Sequence, residues 1–133
     1  MVRVWTGRIG EGGLSEVNTT FKYAKTIDGG ISKLLAPAEA IVKGHKHHAG
    51  DMRFRNWARV SDEEYTDRYL ESLRENFAKN REVFRELLER DVITITCYCG
   101  KHNRFCHRYL LAEYVLARCA TYFGLSYRYM GER

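Results

Sequence analysis

The run from Val92 to Cys99, Val-Ile-Thr-Ile-Thr-Cys-Tyr-Cys, constrains the fold of this chain more than any other feature. It is β-branched almost throughout, so it fits a pleated, packed surface far better than a helix. A near-continuous run of this kind reads as a strand buried on both faces, central in a sheet. A short polar stretch follows, Gly100 to Arg104, and then Phe105 to Phe123 is apolar around most of a helical circumference. A strand feeding through a loop into a helix that must lie on the sheet is the building unit of α/β architecture. The prediction is a small α/β sandwich with a mostly parallel sheet flanked by helices. One domain is expected over residues 1–133, since this length leaves little room for a second core.

The remaining elements follow from period and punctuation. Val2, Val4 and Thr6 alternate with Arg3 and Trp5, the two-residue period of a strand. Gly10, Gly12 and Gly13 mark a loop whose spacing does not match a dinucleotide fingerprint, so a turn is favoured over a phosphate cradle. Thr19 to Tyr23 is read as a short second strand. Ile31 to Lys43 carries Leu34, Leu35, Ala38, Ile41 and Val42 at helical spacing, with Pro37 in an early turn. Gly44 to Asp51, holding His45, His47 and His48, is read as a mobile surface loop. Ser61 and Glu64 form a capping box, and Tyr65, Tyr69, Leu73 and Phe77 recur every fourth residue behind it. The helix extends through Phe84, Leu87 and Leu88, with Asn80 marking a break or an exposed position. Gly124 sits where a helix stops, and Leu125 to Met130 is the last strand.

Composition narrows the partners. Lys plus Arg is 22 against 17 for Asp plus Glu, a net charge of +5. This mild excess permits a nucleotide, nucleic-acid or other anionic partner without requiring one. The most apolar stretch, Tyr109 to Phe123, is interrupted by Glu113 and Arg118 and is too short to span a bilayer, so no membrane association is expected. No apolar signal core follows Met1-Val-Arg-Val-Trp5, and the four cysteines crowd into the last third, so a cytoplasmic protein with reduced thiols is expected.

Chemistry is concentrated between Cys97 and Arg108. In an open α/β sheet, ligands bind where strands end and helices begin, and there Lys101, Arg104 and Arg108 bring positive charge together. Binding of an anionic, nucleotide-like or nucleic-acid ligand is the first reading, with Arg8 joining if its strand runs parallel to Val92–Cys99. Arg108→Ala should then weaken anion binding and change the melting temperature little. The second reading is a cysteine enzyme with Cys99 or Cys106 as nucleophile and His107 or His102 as base. The Cys99 to Arg104 spacing resembles the cysteine-to-arginine loop of rhodanese-type sulfurtransferases and, more loosely, of phosphatases. Cys97, Cys99, Cys106 and a histidine also offer zinc donors. The usual two-residue spacer is missing, however, and Cys106 and His107 are adjacent, so neither a metal nor another cofactor is expected. A structural interaction module presenting Trp5, Trp57 and the tyrosines is the third reading. Cys97 and Cys119 are assigned to packing.

The segment from Thr94 to Cys99, a polar loop, and then Phe105-Cys-His-Arg-Tyr-Leu-Leu-Ala-Glu-Tyr-Val resembles the C-terminal signature of the domain-of-unknown-function 488 family. Leu35-Ala-Pro37, the run from Tyr65 to Leu73 and Phe84-Arg-Glu-Leu-Leu88 are similar to the family's middle, and Trp5, Arg8 and Gly10 to its opening. The resemblance implies a small α/β protein with a site at Cys106, His107 and Arg108 facing a strand-end cysteine, Cys97 or Cys99. It implies no particular reaction.

Overall fold

A computed structural model of the chain describes residues 1–20, 30–97 and 106–133. Its sheet comprises β1 (Val2–Arg8), β2 (Glu16–Asn18), β3 (Val92–Cys97) and β4 (Tyr127–Glu132), in the order β2-β3-β1-β4. Every pairing among these strands is parallel. The α/β reading and the central place of Val92–Cys97 are therefore both found.

Register explains why the β3 run is uniformly apolar or small. Val4 lies opposite Ile93, and Thr6 and Val17 both lie opposite Ile95. Side chains alternate across a strand, so Val2, Val4, Val17, Ile93, Ile95 and Cys97 share one face. Its valines and isoleucines join Leu35, Tyr69, Leu73, Phe84, Leu87, Leu111 and Leu116 in the hydrophobic core. Thr94 and Thr96 point the other way and are also fully buried. The glycine loop covers Thr94 there, with Ser15 Oγ 3.0 Å from Thr94 Oγ1. The glycine loop is indeed a turn rather than an open phosphate cradle. The Glu16 carboxylate already accepts hydrogen bonds from the Gly10 and Gly12 amides, at 2.9 and 3.1 Å.

The helices are α1 (Ile31–Leu35), α2 (Glu39–His48), α3 (Asp62–Lys79), α4 (Arg81–Leu88), α5 (His107–Leu110) and α6 (Leu116–Phe123), with a π-helical turn over Leu111–Val115 joining the last two. Ser61 caps α3: its Oγ accepts from the Glu64 amide. Asn80 does separate two helices, α3 and α4. Gly124 ends α6 with a φ of 70°, a left-handed conformation that glycine adopts without a Cβ penalty.

Four sequence expectations are corrected. The helix expected over Ile31–Lys43 is two helices, because Ala36, preceding Pro37, is forced extended (ψ 141°) and Ala38 follows suit. The histidine segment is not a loop. His45, His47 and His48 form the last turn of α2, whose polar side faces solvent while Gly44 packs against Ala58 and Val60. His45 Nε2 lies 2.6 Å from Asp62 Oδ1, and His47 Nδ1 lies 2.7 Å from the Trp57 carbonyl oxygen. The second strand is Glu16–Asn18, ahead of the expected Thr19–Tyr23. Thr19 donates its amide to Thr96 O as the chain leaves the sheet, and residues 21–23 lie outside the described part. The last strand is shifted to Tyr127–Glu132 because Ser126 is still an approach residue, accepting from the Val2 amide.

Candidate functional site

Parallel pairing carries the carboxyl ends of β1 and β3 to the same edge, where Arg8 stands opposite Cys97. Cys106 then caps α5, so the two ends of the strand-to-helix connection return to one place. Cys97 Sγ and Cys106 Sγ are 2.9 Å apart. Cys97 is buried as expected, but it packs against chemistry rather than against hydrocarbon alone.

Arg108 organises this cluster from the first turn of α5. Its side chain is fully buried. Nη1 donates to Cys97 Sγ at 3.0 Å and to Cys106 Sγ at 3.1 Å. Nη2 donates to Glu132 Oε2 and to the Tyr109 hydroxyl, both at 2.8 Å, and Nε faces Glu132 Oε1 at 3.4 Å. A guanidinium can be buried only when its charge is paired and its donors are satisfied. Burial alone would pull its pKa down. The Glu132 carboxylate and the two sulfurs outweigh that and raise it. In return, Arg108 and the Tyr109 hydroxyl hold Glu132 below the usual carboxylate range against the effect of burial. Burial and the neighbouring carboxylate push Tyr109 up to about 12. Such burial argues against the expectation that Arg108→Ala would hardly change the melting temperature, because the residue ties the carboxyl end of β4 to α5.

His107 is fixed from the opposite side. The Thr19 hydroxyl gives its proton to the Thr96 carbonyl oxygen at 2.9 Å. Toward His107 it can therefore only accept, so Nε2–H donates to Thr19 Oγ1 (2.8 Å) and to Thr19 O (3.1 Å). The neutral ring then carries its lone pair on Nδ1. Burial, the largest cause, lowers the His107 pKa, Arg108 adds to that, and Cys97 and the Thr19 bond oppose it. Tyr69 packs its ring edge-on against His107, 5.8 Å between the ring centroids.

Two clefts reach the cluster. Cys106 and His107 line one of about 230 Å³ with Tyr65, Thr66 and Tyr109. Arg8, Glu11 and Cys97 line another of about 340 Å³. Of the residues singled out by sequence, the structure brings together Cys106, His107 and Arg108, and sets Arg8 at the same edge with its side chain half-exposed. Cys99, Lys101, His102 and Arg104 lie outside the described residues. Sequence reasoning missed Thr19, Tyr109 and Glu132. Of these only Tyr109 adjoins a flagged residue, and no local pattern points to the other two.

A family model described as DUF488-N3a, the active DUF488-N3 subclade, matches residues 10–119. The chain belongs to the DUF488 family. The match includes the thiol pair, Thr19, His107 and Arg108, and stops short of Arg8 and Glu132. No curated protein and no solved structure matches this DUF488 member.

Proposed function

We propose that the chain is a cysteine-dependent enzyme acting on an anionic substrate, with Cys106 as the attacking thiolate. The observation that carries the proposal is the buried Arg108 guanidinium 3.1 Å from Cys106 Sγ. A cation against a sulfur favours thiolate, the nucleophilic form. Each Arg108 nitrogen is already engaged by a protein group, so its charge serves the thiols rather than a bound ligand. This favours catalysis over simple anion binding. The matching subclade is described as active, which agrees. Arg8, Lys101 and Arg104 hold the substrate's charge in this reading. His107 is the base: its ring and Cys106 Sγ offer ligating atoms within 4.8 Å of one another, and its lowered pKa keeps the ring neutral near pH 7.

The test is alkylation by iodoacetamide across pH 5–10, read cysteine by cysteine from mass spectra. Cys106 is expected to react first, already at neutral pH. Cys119, whose thiol burial pushes up to about 11, is the internal control. Millimolar AMP or inorganic phosphate should slow the Cys106 reaction. A Cys106 no faster than Cys119 overturns the nucleophile, and absence of protection by both anions overturns the anionic substrate.

A further inference from the structure

We infer that Cys97 is the resolving thiol for Cys106, and that the substrate class is an anionic low-molecular-weight disulfide reduced by this dithiol. This rests on Cys106 being the attacking thiolate, as proposed above, and adds a second reacting residue and the electrophile. Cys97 ends a strand paired on both sides, and Cys106 caps a helix, so the backbone on each side of the pair is anchored. Their sulfurs, 2.9 Å apart, need approach by only about 0.9 Å to reach a disulfide bond length.

The position of Arg108 separates this reading from a metal site. Cys97, Cys106 and His107 do offer ligating atoms within 4.8 Å of one another. Arg108 Nη1, however, stands 3.0 and 3.1 Å from the two sulfurs. A permanent cation already occupies the electrostatic position that a metal bound to both would take. The same contact suits thiol–disulfide exchange, in which negative charge passes from one sulfur to the other, because one donor touches both.

The chemistry balances in two steps. The Cys106 thiolate attacks the substrate disulfide; the Cys106–substrate S–S bond forms, the substrate's own S–S bond breaks, and the first thiolate leaves and takes up a proton. Cys97 then loses its proton and attacks Cys106 Sγ; the Cys97–Cys106 bond forms, the mixed disulfide breaks, and the second thiol leaves protonated. Two protein thiols are oxidised by two electrons, and one disulfide is reduced to two thiols. A second dithiol returns the protein to its starting state.

The test equilibrates reduced full-length protein with glutathione disulfide, an anionic disulfide, quenches with acid and maps cysteine pairing in non-reduced peptides. The wild type should accumulate the Cys97–Cys106 disulfide. Cys97→Ser and Cys97→Ala should stop at glutathione on Cys106, with a mixed-disulfide lifetime about tenfold longer or more. If wild type retains glutathione on Cys106 as long as the Cys97 variants do, or pairs Cys106 with Cys99, the resolving role is overturned while the attacking thiolate stands. If Cys106 takes no glutathione, both readings fall. Zinc that co-purifies and blocks both thiols until chelated overturns the dithiol reading. The wild-type map also stands alone: a wild type that keeps glutathione on Cys106 and forms no Cys97–Cys106 disulfide overturns the resolving role even where a variant fails to fold.

Discussion

Glu132→Gln is the sharpest perturbation of the site that leaves every thiol in place. The substitution removes one charge and little volume. In the wild type, Glu132 is the carboxylate that pairs with a guanidinium of zero exposure, through Oε2 at 2.8 Å and Oε1 at 3.4 Å. Breaking a buried ion pair by removing one partner costs about 3–5 kcal/mol. Two features reduce that here: the Glu132 side chain is 23% exposed, and the amide keeps one carbonyl acceptor for Arg108. We expect a loss of about 2 kcal/mol, or roughly 8 °C in Tm for a domain of this size. Urea unfolding at pH 7 with an unchanged m-value is the assay. The pH dependence supplies the sign. Because Arg108 holds the folded-state pKa of Glu132 below its ordinary 4.5, the stabilisation is complete above 4.5 and is lost as pH falls through the folded value. The gap between wild type and variant should stay flat from pH 7 to 5 and close under stronger acid. A loss under about 0.5 kcal/mol at pH 7, the range of an inert surface change, refutes the reasoning: Arg108 would then be balanced by charge elsewhere.

Two further perturbations test the frame around the site. Gly44→Ala places a Cβ 2.3 Å from Ala58 O and 2.6 Å from Val60 Cγ2, so α2 must move off its neighbours; a loss of about 2–3 kcal/mol is expected in denaturant unfolding, and an unchanged midpoint would show that this contact is soft. His107 has a folded pKa below its ordinary 6.5, so the unfolded chain takes up the proton first. Stability should fall as pH drops below 6.5, by about 1.4 kcal/mol per unit until the folded value is reached, and His107→Asn should remove that slope; a slope equal in the two proteins would place the titration elsewhere.

Local pattern carried much of the architecture. The β-branched run, the helix start at Ser61 and the stop at Gly124 are each set by a few adjacent residues, and each is found where the sequence places it; of the two readings open for Asn80, the structure shows the break. The errors were local too, but competitive. Pro37 acts on the residue before it and splits a periodic segment, and three polar histidines belong to a helix because one side of a helix can face water without being a loop.

The Cys-His-Arg triplet could be singled out because it stands at a strand-to-helix junction and carries a family signature. By itself the sequence determined that these side chains meet the end of a buried strand. Only the tertiary structure decided what each of them touches. Glu132 comes from 24 residues beyond Arg108, and Thr19 from 88 residues before His107. A hydrophobic period reports which face is buried and says nothing of the partner across it. The parallel order β2-β3-β1-β4 brings Thr19 in from beyond one edge strand and Glu132 from the other, enclosing the thiols between them. A buried guanidinium cannot stand without a paired charge, and only the fold brings the Glu132 carboxylate from the last strand to Arg108.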